Sequence, residues 1–104
     1  MTMLPVDLTT MAQEDIYDIV SNLADQSRDA SIRFRDQVAR MLKRLEEMPE
    51  LGSVCRFENA KYEIRVWPVK GFRNYLIFYR IRYPEETTIL RVLHGSTNYE
   101  TLFQ

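Results

Sequence analysis

The hydrophobic period of this chain changes once, and the change falls at Pro49 to Gly52. Upstream, Ala12, Ile16, Ile19, Val20 and Leu23 recur at three- and four-residue intervals, as do Ala30, Phe34, Val38, Met41, Leu42 and Leu45. That spacing puts each set on one face of a helix. Downstream, Tyr62, Ile64 and Val66 alternate with Glu63, Arg65 and Trp67, the two-residue period of a half-buried strand. Neither layer can bury its apolar side alone, so the helices must lie on the sheet.

Punctuation residues set the expected boundaries. Residues 3–8 read as a short first strand, with Pro5 at its start or at a sheet edge, because proline cannot donate to a ladder. Thr9 and Thr10 both offer N-caps, and Thr10 with Gln13 fits a capping box for a helix over 10–25. Ser27 or Asp29 caps a second helix that runs to about residue 48, where Pro49 stops it. A connection this short predicts an antiparallel helical hairpin. Val69 to Phe72 then reads as a turn, 75–82 as a central strand, Tyr83 to Glu86 as a second turn and 87–93 as the last strand, ending at His94-Gly95. Residues 54–57 fit either a loop or a short extension of the sheet. Residues 97–104 fit one more helical turn, with Thr97 and Glu100 as its capping box.

The predicted class is α+β, in the order β-α-α-β-β-β. The last three strands form an antiparallel meander, because their loops are too short for crossovers. The helical hairpin covers one face of that sheet. At 104 residues, without repeats or linkers, the chain is expected to be one domain over 1–104.

Composition removes several function classes. Apolar residues make up 45% and charged residues 28%, which suits a small globular core rather than a disordered tail. No stretch has the ~20 unbroken apolar residues of a membrane span. The first ten residues lack a basic stretch followed by an apolar run, so the expected compartment is the cytosol. The single cysteine, Cys55, cannot make an internal disulfide or a thiolate zinc site. The net charge of -1 hides an asymmetry. Asp7, Glu14, Asp15, Asp18 and Asp25 stand in residues 1–27 without one Lys or Arg, whereas basic residues outnumber acidic ones over 56–91. An acidic first helix and a basic sheet are expected, and solvated surface on both is the plain alternative.

Sites for chemistry are sparse. One histidine and one cysteine give no metal-ligand cluster, and no cofactor is expected. Arg56 beside Cys55 could lower the thiol's pKa, but a small half-buried hydrophobe fits the position as well. No glycine-rich phosphate loop is possible with three glycines. Arg65, Lys70, Arg73, Arg80, Arg82 and Arg91 fall on successive strands and turns, interleaved with Tyr62, Trp67, Tyr75 and Tyr79. Such a pattern can hold RNA by stacking and phosphate contact, although alternation sends several of these aromatics to the core. His94, at a strand end, can act as acid or base near neutral pH, or can simply bond a turn.

Several strings carry a resemblance. Val6 to Ile16 resembles the opening strand and helix start of the RelE/ParE toxin superfamily, and Ala39 to Gly52 the end of its second helix. Val69 to Arg80 is similar to its central hairpin. Ile89-Leu90-Arg91-Val92-Leu93-His94-Gly95 resembles the ParE branch in particular. The resemblance covers nearly the whole chain. It implies the bacterial toxin of a type II toxin–antitoxin pair, of the kind tied to plasmid stabilisation, neutralised by a ParD-like antitoxin.

The two branches imply different activities. The ParE branch implies inhibition of DNA gyrase by protein–protein contact, without catalytic residues and without direct nucleic-acid contact except through the antitoxin. The RelE branch implies a ribosome-dependent mRNA endonuclease, for which Arg65, Arg73 and His94 are the catalytic candidates. Both branches often carry arginine at the position of Leu76, and leucine cannot stabilise charge on a phosphorane. This favours the gyrase reading, with Lys70, Arg73, Arg91, His94, Tyr99 and Phe103 as expected target contacts. Met11, Tyr17, Arg80 and Arg82 are the expected antitoxin contacts, with Phe103 as a further exposed apolar residue. Ser96-Thr97-Asn98 lacks the family's charged continuation after His-Gly, which keeps a non-toxic antitoxin-binding relic as a third reading.

Overall fold

The computed structural model describes residues 3–58 and 60–103. β1 (Val6–Leu8) passes through Thr9 into α1 (Thr10–Gln26), and Ser27 alone joins it to α2 (Arg28–Glu47). A 3-10 turn over Pro49–Leu51 leads to β2 (Ser53–Cys55), β3 (Ile64–Val69), β4 (Phe72–Arg82) and β5 (Glu86–His94). A short 3-10 helix, Tyr99–Phe103, follows; Gln104, the last residue of the expected helical turn, lies outside the described residues. The five-stranded sheet has the order β1-β5-β4-β3-β2. β2 to β5 pair antiparallel, and β1 adds parallel to β5. This is the predicted α+β arrangement, with one strand more. The extra strand is β2, which takes the open segment into the sheet and leaves Arg56 and Phe57 outside it.

The caps explain the tight connections. Thr9, not Thr10, caps α1: its hydroxyl accepts from Ala12 N (3.0 Å) and donates to the Leu90 carbonyl (2.9 Å). This second bond ties the cap to β5. The Thr10/Gln13 box does not form, and the Gln13 amide donates to the Leu8 carbonyl instead. Ser27 serves both helices. Its N–H donates to the Leu23 carbonyl (2.7 Å) and its hydroxyl accepts from Ala30 N (3.1 Å). The turn expected over Val69 to Phe72 shrinks to Lys70-Gly71, because Val69 already pairs with Phe72. Gly71 takes φ 81°, a region glycine enters without steric cost.

The sheet is packed on both faces. Under the helices, Ala12, Ile19, Phe34, Val38, Met41 and Leu45 meet Val69, Ile77, Tyr79, Ile89 and Val92. Tyr79 is wholly buried there, and its hydroxyl donates to the Pro49 carbonyl (2.7 Å) while accepting from Gly52 N (2.7 Å). On the opposite face, Ile64, Phe78 and Leu93 form a second cluster under Phe57, Tyr99 and Phe103. Phe103 stacks on Phe57 (5.3 Å between centroids) and Tyr99 lies 4.9 Å from Phe78. Phe103 is therefore not the exposed apolar residue the sequence suggested. The back of the sheet needs a cover, and the tail supplies it.

Candidate functional site

The β3–β4 turn and the end of β5 meet at one end of the sheet. Tyr75 of β4 pairs with His94, and Gly95 N donates to the Asn74 carbonyl (2.7 Å). Lys70, Arg73 and His94 are exposed at this end. The middle of α2 runs beside it because Phe34 packs edge-on against Phe72 (5.3 Å) and Tyr75 (5.4 Å). Between α2 and the hairpin lies a trough of about 430 Å³, lined by Arg40, Arg44, Trp67, Lys70 and Arg73 over a floor of Met41 and Val69. A second depression, of about 330 Å³, continues past Gln37 to Arg33 and Asp36.

The electrostatics of the trough are one-sided. Among the described residues, Arg40, Arg44, Lys70 and Arg73 form no ion pair, whereas Arg33 is paired with Asp29 (2.9 Å). Arg44 stands over the Trp67 ring (6.0 Å) and Arg33 over the Phe72 ring (5.5 Å). Two guanidinium groups are thus placed on aromatic faces; that of Arg33 already gives Nε to Asp29, and that of Arg44 has no ion-pair partner among the described residues. Arg33, Gln37, Arg40 and Arg44 follow one another at helical spacing. The stripe flanks the apolar face of α2, each member standing one residue ahead of Phe34, Val38, Met41 or Leu45.

The expected target contacts do not all gather here. Lys70, Arg73 and His94 share the end of the sheet. His94 is turned into its own loop, where Nδ1 accepts from Ser96 N (3.0 Å) and its ring meets Tyr75 edge-on (5.2 Å). Arg91 is drawn away, since Nε and NH2 both donate to Asp15 of α1 (2.7 and 2.9 Å). Tyr99 and Phe103 lie on the opposite face of the sheet, half-buried in the second cluster.

The expected antitoxin contacts also divide. Met11 (53%) and Tyr17 (71%) are exposed on α1, about a third of a turn apart around its axis. Arg80 lies on the back of the sheet with its guanidinium 3.8 Å from the Tyr62 ring centre, and Arg82 contacts Glu85 at 3.5 Å.

The catalytic alternative, Arg65 with Arg73 and His94, is not assembled. Arg65 pairs with Tyr79 and His94 with Tyr75, on opposite flanks of β4. Four residues along and two strand spacings across put their backbones about 16 Å apart. Arg65 is also engaged, with NH1 donating to the Gly52 carbonyl (2.7 Å). Cys55 is not activated either, for burial pushes its thiol up rather than down. Among the described residues, no group of three His, Cys, Asp or Glu could hold a metal ion, and no helix is long and apolar enough to cross a membrane.

The family comparison places this helical hairpin on its sheet in a known class, the toxins of type II toxin–antitoxin systems. Residues 6–99 match the family model described as the ParE toxin of the type II toxin-antitoxin system parDE, and the chain belongs to that family. A solved structure titled as the chromosomal ParDE TA system from P. aeruginosa superposes with a TM-score of 0.71 and 16% identity, covering 88% of this chain and 96% of that one. At this identity the likeness speaks for the fold. No curated protein matches the sequence.

Proposed function

We propose that this ParE-type toxin inhibits DNA gyrase by protein–protein contact and is neutralised by a ParD-type antitoxin. The observation that carries the reading is the basic end of the sheet. Lys70 and Arg73 project there without ion-pair partners among the described residues, while Arg65, the third residue of the catalytic alternative, lies on the far flank of β4. Unpaired cations on a hairpin steer and orient an acidic partner surface. His94 stands beside them as a docking contact. The antitoxin's apolar residues would meet Met11 and Tyr17 on α1, and an acidic stretch would meet Arg80 and Arg82.

The test is a gyrase supercoiling reaction with the purified chain. Supercoiling should stop with the native protein, continue with a folded Lys70→Ala/Arg73→Ala variant, and recover when antitoxin is added. In cells, labelled thymidine uptake should fall before methionine uptake. Early loss of methionine uptake with normal supercoiling would replace this reading with the endonuclease one.

A further inference from the structure

We infer that the trough between α2 and the β3–β4 hairpin binds a single-stranded polynucleotide through its phosphodiester backbone. The site sets Arg40 and Arg44 of α2 against Trp67, Lys70 and Arg73 of β3 and the hairpin. Arg33 and Arg44 are eleven residues apart on α2, so the row they bound with Arg40 is about 16 Å long. Lys70 and Arg73 face it from the hairpin. A row this long, with cations on both sides, matches several successive phosphates better than one isolated anion. At the 3.4 Å rise of a stacked strand it spans roughly four or five.

The lining separates a nucleic-acid strand from an acidic peptide. A docked peptide helix needs an apolar stripe to fill. Here Met41 and Val69 are already buried, at 4% and 0% exposure, and the rings of Trp67 and Phe72 each lie beneath a guanidinium. What remains on offer is N–H donors and the outer faces of the guanidinium planes, on which unpaired bases can stack. Asp36 stands in the second depression and Asp29 already pairs with Arg33. The strand's main contacts are therefore Arg40, Arg44, Lys70 and Arg73, with Arg33 closing the row through the N–H groups that Asp29 does not take. Lys70 and Arg73 are shared with the docking end described above, but the inference does not need gyrase as the target.

Trp67 is the only tryptophan in the chain, so its fluorescence reports on this trough directly. The experiment titrates the full-length protein, without gyrase or antitoxin, with oligo-dT and oligo-U probes of about a dozen nucleotides. Trp67 quenching and probe anisotropy should saturate together. With four phosphate contacts, affinity should fall about 50-fold between 50 and 200 mM salt. Arg40→Gln/Arg44→Gln should halve the logarithmic salt slope and weaken binding about tenfold or more at low salt. Arg40→Lys/Arg44→Lys should keep the slope, and Arg28→Gln/Arg35→Gln, an equal loss of charge elsewhere on α2, should bind as the native chain does. Similar affinity for both probes fits a backbone site, and a preference for one polymer identifies the strand it holds. Absence of salt-dependent quenching in the native protein would overturn the inference, whatever the variants do. So would equal losses in the Arg28/Arg35 variant, or quenching by poly-glutamate but by neither oligonucleotide.

Discussion

Asp15 of α1 holds Arg91 of β5 through two guanidinium contacts, and the same carboxylate accepts Val92 N (3.0 Å). β1 stops at Leu8, opposite Ile89, so beyond that point β5 has no strand neighbour on the side away from β4. Asp15 supplies the acceptor that a longer β1 would have given. The pairing of β4 with β5 shifts here, with Tyr79 opposite Ile89 and Phe78 opposite Arg91, leaving Leu90 as the extra residue. A bulge re-aims the side chain next to it, and here it sends Arg91 to the helix. The acidic first helix and basic sheet visible in the sequence are thus partly one internal ion pair.

Asp15→Ala should cost about 2–3 kcal/mol, because it strands a half-buried guanidinium and a sheet-edge N–H together. Arg91→Ala should cost less, since the carboxylate keeps its bond to Val92 N. Urea unfolding of both single variants and the double variant checks this. Additive losses would show that the pair is not coupled. Arg91→Ala should leave gyrase inhibition intact wherever the protein stays folded, in contrast to Arg73→Ala.

Gly52 and Tyr79 make a second test. A Cβ on Gly52 would stand 2.7 Å from the Tyr79 hydroxyl and 2.9 Å from the Val66 carbonyl. Gly52→Ala should therefore destabilise more than Tyr79→Phe, whose cost is about 1–3 kcal/mol for two buried groups left unbonded. Tyr79→Phe should not rescue Gly52→Ala, because the ring edge (2.8 Å) and the Val66 carbonyl remain in the way. Full rescue in the double variant would show that the hydroxyl alone excludes the side chain.

These contacts show what the sequence could and could not disclose. Both helices were legible because their apolar faces repeat over many residues, and β4 and β5 because they are long and dense. β2 was not, since a three-residue strand has too few positions to show an alternation. The parallel pairing of β1 was also hidden, because no local pattern tells a chain which edge it will join. At the candidate site, Lys70 and Arg73 were legible as cations on a turn. That the stripe of α2 faces them was not, because Arg40 and Arg44 are brought to the hairpin only by tertiary packing. The pairing of Arg91 with Asp15 was hidden for the same reason, as the two lie 76 positions apart.

The tail offers a third prediction. Phe57, Phe78, Tyr99 and Phe103 pack as one aromatic group on the back of the sheet. Phe103→Ala should cost about 2 kcal/mol, less than a fully buried phenylalanine, because the side chain is half-buried. Deleting residues 99–104 should cost more and expose the cluster to a hydrophobic dye. Unchanged urea midpoints would show that the tail adds nothing to the stability of the sheet.

Stability at high pH should depend on Tyr79. Burial raises its phenol above the ordinary value of 10.0, against the smaller lowering effect of the Gly52 N–H. The folded value then lies above the unfolded one, so the folded state binds the proton more tightly. The resulting stability is fully present below about pH 10 and is lost as pH rises through the folded value. Tyr83 acts in the same direction, because its hydroxyl donates to Glu50 Oε1 (2.8 Å) and that bond raises its pKa. Urea midpoints should be level from neutral pH to about 10 and decline above it. Tyr79→Phe should lower the level part and flatten the decline, and Tyr79→Phe/Tyr83→Phe should flatten it further. An undiminished decline in the double variant would assign the alkaline loss to other groups.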